Sequence, residues 1–95
     1  MNWVTGVKYN GGGTIAEVEV RGDGGRVMGV PARATREQVI AAIDRGVSYT
    51  TAYQQAGRWI AGEAVRVVPV GYERYLRTDS NTVRADNLGN LPRLA

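Results

Sequence analysis

The chain has 95 residues, enough for one domain spanning 1–95 and too few for two. It holds no Cys and no His, which excludes disulfides, thiolate or imidazole zinc sites, and nucleophilic Ser/His/Asp or Cys/His arrangements. The net charge of +3 rests on eleven Arg and a single Lys, Lys8, a weak surplus for a dedicated DNA-binding face.

Residues 3–9 alternate, placing Trp3, Thr5, Val7 and Tyr9 on one face of a strand. Asn10-Gly11-Gly12-Gly13 accepts positive φ and reads as a turn. Residues 14–21 alternate again, with Ala16, Val18 and Val20 opposite Glu17, Glu19 and Arg21, so the two runs predict a β-hairpin. Gly22-Asp23-Gly24-Gly25 reads as a loop, and Val27, Met28 and Val30 as a short strand stopped by Pro31. Thr35 and Gln38 form a capping box in front of a helical stripe of Val39, Ile40, Ile43 and Val47. Gly46 ends that helix, predicted over 36–45.

Residues 47–53 are β-branched and aromatic and predict a strand. A loop over 54–57 follows, and Arg58-Trp59-Ile60 leads into a turn at Gly62. Residues 65–70 are apolar on both faces except at Arg66 and predict a central, buried strand, with Pro69 marking an edge or bulge near its end. Gly71-Tyr72 fits a two-residue hairpin turn into a last strand over 73–78. From Asp79 onward periodicity stops. The predicted class is α+β: one amphipathic helix packed on a mainly antiparallel sheet of about five strands.

No run reaches the ~18 apolar residues of a membrane helix. The first residues lack a basic stretch followed by an apolar one, so the expected location is cytoplasmic.

The chemistry is narrowed mostly by what fails. Without His, general acid–base work would fall to carboxylates, Tyr, Arg or Lys8, and a chain this short leaves little room for a substrate cleft, so the expectation is a non-enzymatic protein without cofactor. Neither glycine-rich loop is followed by the Lys-Ser/Thr of a phosphate-binding loop. Asp79-Ser80-Asn81 begins like a calcium loop, but Arg84 and Asn90 stand where Gly and Glu are needed, so no metal is expected. Asp79, Asn81, Asp86 and Asn87 are instead expected to bond their own backbone in successive turns. Leu88 and Leu91 are expected to clamp the segment onto the sheet.

The binding candidates are Arg58, Trp59, Tyr72 and Arg74, an Arg-plus-aromatic set, together with Arg77, Thr78, Asp79 and Asn87 around a polar pocket. Arg forks suit phosphate and aromatic rings suit a base. The first expectation is therefore a module that sequesters a nucleotide-like anionic small molecule in a homo-oligomer. A protein–protein interaction module using an exposed strand or the Trp59/Tyr72 surface is the alternative. Nonspecific nucleic-acid binding is a third reading, with affinity falling steeply with salt.

Several segments carry a family resemblance. They are residues 35–43, Tyr49-Thr50-Thr51-Ala52-Tyr53, Val65-Arg66-Val67-Val68-Pro69-Val70, and above all Tyr75-Leu76-Arg77-Thr78-Asp79-Ser80-Asn81 with Asp86-Asn87-Leu88-Gly89-Asn90-Leu91-Pro92. The chain resembles a family of small bacterial and phage proteins known only as a domain of unknown function. The resemblance implies kinship and no particular activity. Ser80 stands where the family pattern leads one to expect Pro.

Overall fold

The computed structural model describes residues 2–24, 27–79 and 85–94. Gly25, Ser80, Asn81 and Arg84, which entered the loop and calcium readings, lie outside the described residues. In chain order the elements are β1 (Asn2–Tyr9), β2 (Ile15–Gly24), β3 (Val27–Thr35), α1 (Arg36–Asp44), β4 (Tyr49–Gln55), β5 (Arg58–Ala64), β6 (Arg66–Val70) and β7 (Glu73–Arg77). Five strands form one sheet in the order β3-β2-β1-β4-β5, and β6 and β7 form a separate ribbon. All pairs are antiparallel except β1 with β4. No helix among the described residues is long and apolar enough to cross a membrane.

The helix begins where the capping box placed it. Thr35 accepts a hydrogen bond from the Gln38 amide, and the Gln38 side chain accepts one from the Thr35 amide. The helix ends at Asp44, and Gly46 takes φ +93° just beyond it. Val39 and Ile40 meet Val4, Val7, Ile15 and Val18 of the sheet, and Val65, Leu76, Leu88 and Leu91 complete this core. Burying such side chains contributes about 1.5–3 kcal/mol each.

Several strand expectations need correction. The β1 register on β2 shifts between Val4 and Gly6, so strict alternation breaks at Thr5. Val4 and Val7 both face the core at 0% exposure, where alternation had put them on opposite faces. β2 continues through Gly22–Gly24, which had read as loop. β3 runs past Pro31, which pairs with Arg21; an edge strand tolerates the missing N–H. Residues 66–70 belong to the two-stranded ribbon and not to the centre of the main sheet, and Pro69 sits there opposite Arg74. Their apolar run reflects packing of the ribbon under the helix rather than burial between strands. Gly71 adopts φ +64°, as expected for the first residue of the β6–β7 turn.

The predicted turn at Gly62 is a strand interior. β5 crosses it, and a side chain at this position would collide with the Thr51 hydroxyl. Thr51 Oγ1 accepts from the Glu63 amide (2.9 Å) and donates to the Glu63 carbonyl (3.3 Å). Here the β4–β5 register shifts, between Thr50 and Ala52. The glycine therefore marks a bulge stitched by a side chain.

The connection from β4 to β5 is shorter than the predicted loop: it is Ala56-Gly57, with φ of +52° and +77°. Two successive positive values define the hairpin turn that favours Asn-Gly. Alanine is strained in this region. Ala56→Asn is expected to stabilise the fold by about 0.5–1 kcal/mol, read as a higher urea midpoint at unchanged slope.

Candidate functional site

The C-terminal segment is built into the fold from both ends. Its Asp86 carboxylate has 0% side-chain exposure and gathers three separate elements. Oδ2 accepts from the Ile15 amide (2.7 Å) at the start of β2 and from Arg36 Nε (2.7 Å) at the start of the helix. Oδ1 accepts from the Leu76 amide (2.8 Å) of β7 and from Arg36 Nη2 (3.3 Å). The Asp86 amide donates to the Gly13 carbonyl (3.0 Å) in the first hairpin loop. Arg36 also donates to the Arg74 carbonyl and lies over the Tyr75 ring. Its hydrogen bond to Asp86 holds the guanidinium above its ordinary range, against the opposing effect of burial.

Beyond Asp86 the segment runs as an added strand. The Asn87 amide donates to the Leu76 carbonyl (2.8 Å) and the Thr78 amide to the Asn87 carbonyl (3.0 Å), a parallel bridge to β7. Further on, the Val7 amide donates to the Pro92 carbonyl (3.0 Å) and the Leu94 amide to the Val7 carbonyl (2.9 Å), a parallel bridge to β1. Leu88 and Leu91 enter the core as expected, at 2% and 5% exposure. Asn87 does bond its own backbone, accepting from the Gly89 amide (2.9 Å). Asp86 does not fit the local-turn reading, because its carboxylate partners lie far away in sequence.

The candidate binding residues fall in three places. Arg58 and Trp59 open β5; Arg58 is exposed and Trp59 lies 5.2 Å from the Arg21 guanidinium. Tyr72 and Arg74 lie at the far end of the β6–β7 ribbon, where Tyr72 is fully exposed and Arg74 pairs with Asp44 (2.9 Å). Arg77, Thr78, Asp79 and Asn87 do meet, at the junction of β7 and the C-terminal segment. There Arg77 is 4% exposed, donating to Asp79 (2.6 Å) and to the Ala85 carbonyl (2.7 Å). The Asp79 bond holds the Arg77 guanidinium above its ordinary range. Of this group, Thr78 alone lines the groove described next.

That groove lies where the main sheet splits. β4 pairs with β1 only along Tyr49–Thr51, and lower down the place beside β1 is taken by Arg93. From Ala52 to Gln55 the β1-facing edge of β4 therefore has no strand partner among the described residues. The opening has a volume of about 630 Å³. Thr51, Tyr53 and Gln54 of β4 and Glu63 of β5 line one side, and Leu88 through Pro92 the other. Tyr53, Glu63 and Asn90, absent from the sequence-derived candidates, acquire this role only because two distant segments converge. A model for a family described as protein of unknown function (DUF3892) matches residues 3–92. No curated protein matches the chain, and neither does any solved structure.

Proposed function

Because the chain belongs to the DUF3892 family, whose description carries no activity, we propose from its groove that it is a non-enzymatic interaction module that takes up an extended segment of a partner protein. The observation that carries this reading is the unpartnered edge of β4 facing the C-terminal segment across an opening of about 630 Å³. A strand edge supplies main-chain donors and acceptors whatever the partner's sequence, and flanking pockets select its side chains. Tyr53, at 40% exposure, and the Leu88–Pro92 wall provide apolar contact.

The nucleotide reading finds less support in the same geometry. Two of its arginines, Arg74 and Arg77, already face Asp44 and Asp79. Its aromatics, Trp59 and Tyr72, stand apart, on β5 and on the β6–β7 turn, and no Lys or Arg among the described residues lines the groove.

The test is a selection of random twelve-residue peptides on the immobilised protein, followed by amide hydrogen exchange on the best binder. Protection at 52–55 and at 89–91, with affinity reduced about tenfold in Tyr53→Ala, is the expected result; a residue of this kind at a binding centre is worth ~1–2 kcal/mol. Failure to enrich any peptide, or protection confined to the Tyr72 turn, would overturn the reading. A nucleotide released from the purified protein in native mass spectrometry would replace it with the anionic-ligand reading.

A further inference from the structure

We infer that the groove selects a partner segment bearing a Lys or Arg, which it pairs with Glu63. This inference rests on the interaction-module reading above and adds the chemistry of the occupant.

Most of the acidic side chains among the described residues are engaged. Glu17 pairs with Arg33, Glu19 with Arg21, Asp44 with Arg74, Asp79 with Arg77 and Asp86 with Arg36. Glu73 accepts from the Tyr75 hydroxyl. Glu37, at the start of the helix, adds its field to Arg36. Glu37 and Glu63 are the two without a hydrogen bond or ion pair among the described side chains, and of these Glu63 alone lines the groove. Its main chain is fixed on both sides by the Thr51 hydroxyl, while its exposed carboxylate has no hydrogen bond or ion pair among the described residues.

Among the described residues lining the groove it is also the one that carries a charge: the rest are Thr51, Tyr53, Gln54, Thr78, Asn90 and small or apolar side chains. In a chain of net charge +3, the described lining of the groove is thus locally negative. The bulge that Gly62 permits holds the Glu63 backbone beside the floor made by β4. An extended segment lying along the free edge of β4 would present alternate side chains to the groove. A cation at one of those positions meets Glu63, whereas an acidic side chain would find no countercharge among the described residues of the lining. Complementary charge of this kind governs which partner is accepted more than how tightly it is held.

The experiment compares three equimolar libraries of acetylated, amidated heptapeptides, alike except for a central Arg, Gln or Glu. Binding to the full chain is measured by fluorescence anisotropy. The Arg-centred library is expected to bind about tenfold more tightly than the Glu-centred one, with Gln between, and Glu63→Lys is expected to reverse that order. Glu63→Gln should flatten the preference without lowering the thermal midpoint, since the carboxylate holds nothing within the fold. Equal binding of the three libraries would overturn the charge selection and leave the groove reading standing, with Glu63 serving only to keep an edge strand soluble. Absence of binding by all three would overturn both.

Discussion

Asp86→Asn is expected to destabilise the protein by about 3–5 kcal/mol, read as a fall in the urea midpoint. A domain of this size has only about 5–15 kcal/mol in total, so the variant should be largely unfolded at moderate temperature. The size follows from the geometry. Both carboxylate oxygens accept from backbone amides, Ile15 on one and Leu76 on the other. An asparagine must turn its NH₂ toward one of those donors, leaving it unsatisfied in a buried place. Arg36, with only 18% of its side chain exposed, loses its countercharge at the same time. Replacing the pair by apolar residues is no remedy here, because the two amides would still lack acceptors. The control is Asp44→Asn, which removes an ion pair whose partners are 46% and 48% exposed. A pair so open to solvent is worth about 0–1 kcal/mol.

Leu88→Ala should cost about 2–5 kcal/mol, the range for emptying a buried leucine site. Leu88 is 2% exposed, and its amide donates to the Tyr9 hydroxyl (3.2 Å). If the C-terminal segment were a tether lying on a finished domain, the cost would stay below about 1 kcal/mol. The double variant with Asp86→Asn should cost less than the sum of the two, because either change alone loosens the same segment. Denaturant titrations of the four proteins give that difference directly.

What could be foreseen from the sequence was what is decided locally. The Thr35/Gln38 capping box, the hairpin around Asn10–Thr14 and the Gly71-Tyr72 turn each depend on residues a few positions apart. The inward clamp of Leu88 and Leu91 was also legible, because two leucines in an otherwise polar stretch have few other uses. The misread places are those where a distant group intervenes. Gly62 looked like a turn, since nothing nearby announces that the Thr51 hydroxyl will stitch a bulge there. The phase of β1 slipped at Thr5 for a similar reason: one extra residue moves each following side chain to the other face. Residues 65–70 looked central because apolar runs do not reveal which layer they are buried against. Arg36 and Asp86 stand 50 positions apart, so neither could be recognised as the other's partner. The proposed groove is the extreme case, since it exists only where β4 and the C-terminal segment, far apart in sequence, face each other.

The closure by Asp86 also constrains how fast the native state can be reached. The Ile15 amide meets a carboxylate 71 positions later, and the Tyr9 hydroxyl an amide 79 positions later. Bringing such remote stretches together requires the loss of loop entropy before any contact repays it. The first hairpin and the helix can form early from neighbours, but the gap beside Val7 stays open until the last residues arrive. Refolding should therefore fall in the slow range of milliseconds to seconds typical of domains built on long-range strand pairing. Until that final step the chain carries an unsealed β1 edge, and this interval is when self-association during refolding is most to be expected.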